Sequence, residues 1–204
     1  MNTALKLSLA AVALVGGTVL VTAAALRPQD KGEGAPPDMD PAMMMKMMEL
    51  ATPGEPHKEL AKLVGTWEID YKMRWGPDMP WMDTKGTGEV KPLLGGRYVM
   101  ETVQFEVMGM PMEGLHILGY DNMKKEYISL WADSMSTWWV TSRGKESADG
   151  TIEYKGTMID VAGERPYRMV IHPKSDDLHE AEMYDTIPPA GEVKVMTITS
   201  KRKK

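Results

Sequence analysis

From Thr66 onward the chain changes period. Trp67, Ile69, Tyr71, Met73 and Trp75 alternate with Glu68, Asp70, Lys72 and Arg74, apolar against charged at every step. A period of two sorts residues onto opposite faces of an extended strand, which suits a strand half-buried against a core. Further runs of this kind follow at 83–92, 97–107, 112–121, 126–134, 136–146, 151–160, 165–174, 178–187 and 192–202. Turn chemistry separates them: Gly95-Gly96, Gly109-Met110-Pro111, Asp121-Asn122, Asp149-Gly150, Gly163, Lys174-Ser175-Asp176-Asp177 and Pro188-Pro189-Ala190-Gly191. Asp149-Gly150 is a strong two-residue hairpin signal. No helical pattern long enough for a crossover intervenes, which argues against parallel βαβ units. The predicted fold is all-β, an antiparallel up-and-down barrel of about ten strands, since closing the meander removes the unpaired edges. A barrel of that size has room inside for one small ligand.

The segment before the strands divides in two. Lys6 precedes an uncharged apolar stretch, Leu7 to Leu26, and Ala23-Ala24-Ala25 offers small residues for cleavage. Residues 1–25 therefore read as a signal peptide; a stretch of about 20 apolar residues is also long enough to span a bilayer as an N-terminal anchor. Either way the chain is expected to be exported, to the periplasm or cell envelope. Residues 26–55 form a Pro/Gly-rich and methionine-rich linker carrying Met43-Met44-Met45-Lys46-Met47-Met48 and a short helix. The barrel domain is placed at 56–204. It opens with a helix in which Leu60, Leu63 and Val64 have helical spacing, Gly65 ending it. One or two short helices thus precede the barrel.

Composition narrows the chemistry. Without a single cysteine the chain has no disulfide, thiolate metal site, cysteine nucleophile or lipidated N-terminal cysteine. A net charge of −5 gives no basic field for nucleic acid, and the only basic run, Lys201 to Lys204, fits a solvated strand end. Six Trp and seven Tyr stand against one Phe. Rings with a polar handle suit a partly wet wall better than a dry core.

Five ordered blocks resemble a known family. They are His57-Lys58-x-Leu60-x-x-Leu63-Val64-Gly65-Thr66-Trp67, Leu94-Gly95-Gly96-Arg97-Tyr98, Gly109-Met110-Pro111-Met112-Glu113-Gly114, Gly119-Tyr120-Asp121-Asn122 and Trp131-x-Asp133-Ser134-Met135-Ser136-Thr137. Together they resemble the bacterial family designated domain of unknown function 1579, from about His57 to the C-terminus. The resemblance implies a lipocalin-like (calycin-type) β-barrel and brings neither an activity nor a ligand. Gly65-Thr66-Trp67 also looks like the Gly-x-Trp opening of lipocalins and fatty-acid-binding proteins.

Candidate ligand-binding residues follow from strand parity. Arg97, Val99, Glu101, Val103 and Phe105 share a face that is mostly apolar and is therefore expected to look inward. An inward Arg97 needs a carboxylate such as Glu101 or Asp133, or an anionic ligand, because a guanidinium cannot shed its charge. Trp131 and Asp133 share a face of their strand, Tyr120 ends another, and His116 has the parity to point inward. Trp67 reads as a structural plug closing the lower end, against a basic residue such as Arg202, rather than as a ligand-stacking ring. His57, in the helix, is expected to be exposed.

No metal site and no cofactor are predicted. The four histidines lack metal-ligand spacing, and the twenty methionines are spread along the chain as adaptable packing. A haem with one axial histidine and Cu(I) held by thioethers are the two groups the residue types leave open. No nucleophile elbow or phosphate loop appears, so no catalytic residue is assigned. The favoured reading is a non-enzymatic barrel binding or carrying a small, partly apolar molecule. The alternatives are an envelope structural or protein-interaction module, and a hydrolase or isomerase using an interior His, Asp or Glu. No nucleic-acid partner is expected, the membrane is reached only through an uncleaved N-terminal segment, and the oligomeric state stays open.

Overall fold

A computed structural model of the chain describes residues 40–161 and 163–204. The expected export segment and the linker up to residue 39 lie outside the described residues. Asp40 caps the first helix, α1 (Pro41–Ala51), its carboxylate accepting the Ala42 N–H at 2.9 Å, with Pro41 at a first-turn position where its missing N–H costs nothing. No residue of α1 is buried. The Thr52-Pro53 step ends it, because the residue before a proline is driven to extended backbone. A second helix, α2 (Glu55–Ala61), buries Leu60 and His57. The expectation that His57 is exposed is thus corrected. Its Nδ1 accepts the Gly54 N–H at 3.0 Å, and its ring meets Tyr120 edge-on at 6.0 Å, which pins it against the barrel.

Ten strands follow: β1 (Gly65–Met73), β2 (Met82–Leu93), β3 (Tyr98–Val107), β4 (Met110–Asp121), β5 (Glu126–Asp133), β6 (Val140–Glu146), β7 (Ile152–Asp160), β8 (Gly163–Ser175), β9 (Leu178–Ile187) and β10 (Gly191–Arg202). Each pairs antiparallel with its sequence neighbours, and β1 also pairs with β10, closing the barrel. The fold is the all-β up-and-down barrel that the alternation implied. Most boundaries fall within one residue of the sequence reading; β8 takes in Gly163 and begins two residues earlier, and two other starts differ for a clear physical reason. Met110 and Pro111 join β4, because Met108-Gly109 alone makes the turn, both at positive φ (53° and 78°). Residues 136–139 leave β6 for a loop, tied down by the Trp138 indole donating to the Ile159 carbonyl at 2.8 Å.

Alternation places Trp67, Ile69, Tyr71, Val99, Val103, Phe105 and Leu118 inside, all buried. Burying each such side chain contributes on the order of 1.5–3 kcal/mol. Glycines on the inner wall let flat rings lie on the sheet. A Cβ at Gly114 would stand 2.3 Å from the Trp131 ring, and one at Gly144 2.8 Å from Tyr154. No larger residue fits there without moving an aromatic.

The two ends are unlike. At the end where β1 begins, Trp67 is buried, donates its indole N–H to the Leu63 carbonyl at 2.8 Å, and carries the Arg202 guanidinium 4.4 Å above its ring. The hairpins after β2, β4, β6 and β8 share this end. Those after β1, β3, β5, β7 and β9 lie at the other, which has no helix over it among the described residues.

Candidate functional site

Polar residues form a row around the inner wall. In the register Ser129 stands opposite Ser142, Ser142 opposite Gly156, Gly156 opposite Tyr167, and Tyr167 opposite Asp185, one continuous line from β5 to β9. His116 on β4 meets this row diagonally, its Nε2 2.8 Å from the Ser129 hydroxyl. Its Nδ1 lies 3.5 Å from the Glu101 carboxylate on β3, directly across the ladder. Trp131 approaches the imidazole edge-on at 5.9 Å and donates its indole N–H to Asp133 at 2.8 Å, while Asp133 also accepts the Met135 N–H.

These groups are inward-pointing yet not sealed. The His116 and Glu101 side chains keep 17% and 21% of their surface exposed. An inward side chain in a closed barrel can expose surface only to the lumen. Ser129, Tyr167, Met169, Ala181, Met183 and Ile198 are likewise half-buried, so packing leaves open space against β4, β5 and β8 to β10. Toward the plugged end Tyr127 and Tyr154 fill the base, while Tyr71 and Phe105 stack at 4.4 Å further toward the uncapped end.

Electrostatics set what the lumen offers. Burial, with the Glu101 carboxylate adding to it, holds the Tyr71 phenol far above its ordinary range. Burial also raises Tyr154 and Tyr167, the latter hydrogen-bonded to Ser142, so these phenols are neutral. The cation of the lumen is Arg165, and it is fully engaged. Its fork donates to both Asp160 oxygens at 2.7 Å and to both Asp185 oxygens between 2.8 and 3.0 Å. These bonds, Asp160 first, raise its pKa further. One guanidinium against two carboxylates, with Glu101 and Asp133 beyond it, gives an inner wall with excess negative charge when His116 is neutral. Such a wall favours hydrogen-bond donors and cations.

Placement sorts the residues singled out from sequence. Glu101, His116, Trp131 and Asp133 come together on one wall. Tyr120 points inward lower down, edge-on to Tyr127 at 5.0 Å, and belongs to the packing under the lumen. Arg97 is corrected: it is exposed, in the turn between β2 and β3, donating only to the Leu94 carbonyl at 3.3 Å. Leu94, Gly95 and Gly96 take positive φ there, so strand parity does not reach back to it, although Val99 to Phe105 do face inward. Ser129, Ser142, Tyr167, Arg165 and Asp185 were not singled out. The signal for Ser129 was its parity with Tyr127, Trp131 and Asp133.

A hollow of about 780 Å³ lies on the outer side of β2 to β4, among Lys85, Thr87, Gln104, Glu106 and Glu113, away from the polar row. Another, of about 400 Å³, opens at the uncapped end, where Trp75 and Met108 border the inward-facing Met73, Met82 and Thr84. Outward charged residues line the first, so it is a surface groove; the second combines those inward side chains with the outward Asp83 and Glu106 at the rim. Among the described residues no group of three or more metal-ligating side chains comes together.

Comparison with solved structures finds this barrel elsewhere. The S-type phycobiliprotein lyase CPES from Guillardia theta superposes with a TM-score of 0.56 at 10% identity, over 74% of this chain and 94% of that one. Rv2717c from M. tuberculosis does so at 0.55 and 11% identity, over 75% of this chain and 100% of that one. No functionally curated protein matches in sequence. The sequence profile of a family described as protein of unknown function (DUF1579) matches residues 52–202.

Proposed function

The chain belongs to the DUF1579 family, and on that premise we propose that it is an exported barrel that binds or carries a small, partly apolar molecule in its lumen. The observation that carries this reading is the partly exposed inner wall. His116, Glu101 and Ser129 are presented beside Trp131, in a barrel whose β8 and β9 turn the half-buried Met169 and Met183 inward, which is the mix of few placed polar groups in an apolar lining that small-molecule sites use. The likeness to a phycobiliprotein lyase supports the barrel alone, at 10% identity. Native mass spectrometry of protein purified from its own host tests the reading. A non-covalent adduct, retained in Arg97→Met and lost in Ser129→Trp, is expected. A bare mass for the wild-type protein overturns it. Export is tested by fractionation and N-terminal sequencing; a mature chain beginning near Met1 in the cytoplasm overturns that part.

A second reading rests on one observation. Ser129, His116 and Glu101 are connected in the order of a nucleophile, a base and an orienting acid. An esterase of that kind would label at Ser129 with an organofluorophosphonate, and His116→Ala would abolish labelling. An unlabelled, folded protein removes this reading.

A further inference from the structure

The five hairpins at the uncapped end differ sharply from those at the plugged end. Their described residues are 75–81, 108–109, 134–139, 161 and 188–190, and Asp78 is the sole charged residue among them. The hairpins at the plugged end carry Arg97, Lys124, Lys125, Asp149, Asp176 and Asp177. On this weakly charged rim Trp75, Met108, Met135, Trp138, Trp139 and Val161 stand out into solvent, Trp139 at 65% and Val161 fully exposed. In an up-and-down barrel alternate hairpins must project from the same end, so these side chains ring one mouth. The rim is held in shape. Arg74 donates to the Lys194 and Pro77 carbonyls and lies 4.6 Å over the Trp81 ring, and Trp138 is tied to Ile159.

We propose that this mouth docks on a lipid surface, with the rim tryptophans and methionines entering the interfacial layer. Exposed apolar residues gathered in one place mark an interaction site. Tryptophan, with a wide ring and one N–H, is the residue that best suits the boundary between hydrocarbon and water. The sequence also supplies a route to lipid. Residues 7–26 are uncharged and apolar, and only residues 27–39 separate them from Asp40. Fully extended, those residues reach at most roughly 45 Å. A nine-residue strand such as β1 is about 30 Å long. A chain held at a bilayer by its N-terminal segment can therefore present either end of the barrel to it. The acidic residues at and beside the rim, Asp78, Asp83, Glu106, Asp133, Asp160, Glu164 and Glu192, offer nothing to anionic headgroups, and the basic C-terminal run lies at the opposite end. Docking is thus by apolar insertion and needs no anionic lipid. It does not depend on whether the lumen is occupied.

The absence of cysteine makes the test direct. In the full chain, Val161→Cys on the rim and Met123→Cys on the opposite end are each labelled with an environment-sensitive fluorophore, and both are exposed positions. On addition of phosphatidylcholine vesicles the label at 161 should blue-shift, brighten several-fold and be quenched by brominated lipid, while the label at 123 should not change. Trp138→Ser with Trp139→Ser should weaken this response on the order of tenfold. Labels at both ends left in water, or insertion of the end bearing 123, overturns the proposal. Concentration-dependent protection of the label at 161 without lipid also overturns it, in favour of a second copy at the rim.

Discussion

Replacing Arg202 by methionine should open the plugged end of the barrel. Arg202 lies in the last pair of the β1–β10 ladder, opposite Trp67. Its Nη1 donates to the Val64 carbonyl at 2.8 Å and its Nη2 to the Lys62 and Asp176 carbonyls, while Nε reaches Asp177 at 2.8 Å. The plane of the guanidinium covers Trp67 at 4.4 Å. Gly65 exists for this arrangement, since a Cβ there would lie 2.7 Å from Nη1. Methionine keeps most of the apolar stem over the indole and loses the rest. Each carbonyl bond contributes about 0.5–1.5 kcal/mol, discounted toward the lower value because these carbonyls can be rehydrated. The cation–π contact adds about 1 kcal/mol. Asp177 is more than half exposed, so its ion pair adds almost nothing. The total is about 3 kcal/mol, or a fall in Tm of roughly 6–12 °C for a domain of this size. Urea unfolding followed by tryptophan emission should show a lower midpoint with an unchanged slope. Arg202→Lys should not restore it, because an ammonium has no planar fork to reach three carbonyls and stack at once. A loss below about 1 kcal/mol would refute the reasoning and assign closure to the β1–β10 ladder alone.

Gly114→Ala should cost about 1–3 kcal/mol by overpacking. Its Cβ would drive the Trp131 ring off the wall and away from Asp133, which near-UV circular dichroism would report; wild-type spectra and stability would refute it. Stability should also fall on mild acidification. Burial lowers the pKa of both His57 and His179, with Arg97 and Arg202 respectively adding to it. Each folded value lies below the unfolded one near 6.5, so the unfolded state takes up the proton first and stability is lost as pH falls below about 6.5. Denaturation midpoints between pH 7.5 and 5.5 should decline in the wild type and flatten in the His57→Gln/His179→Gln variant. A flat wild-type profile would contradict the burial argument.

Part of the site was legible because it lies within single strands. Glu101 follows from the parity of Val99, Val103 and Phe105, and Asp133 from that of Trp131, since side chains alternate strictly along extended backbone. The same rule failed at Arg97, because three consecutive positive-φ residues precede it and β3 begins only at Tyr98, one position past it. It also failed at His57, whose burial comes from a helix packing on Tyr120 and not from any periodic pattern. The contact of His116 with Ser129 was beyond reach, since it joins two strands diagonally and depends on their register.

By itself the sequence determined the strands, their order and the antiparallel barrel, because period-two alternation and turn residues are local properties that neighbouring backbone enforces. It determined the inner glycines as types, though not what they face. Tertiary structure alone decided that β1 closes on β10 with Trp67 under Arg202. It likewise decided that Arg165 gathers Asp160 and Asp185, and that Ser129, Ser142, Tyr167 and Asp185 fall on one line. Register is the reason: sliding a strand by two residues preserves every local preference and every inward face, yet it changes which side chains meet. Only the sum of cross-strand packing around the closed barrel selects one register, and the lumen's chemistry follows from that selection.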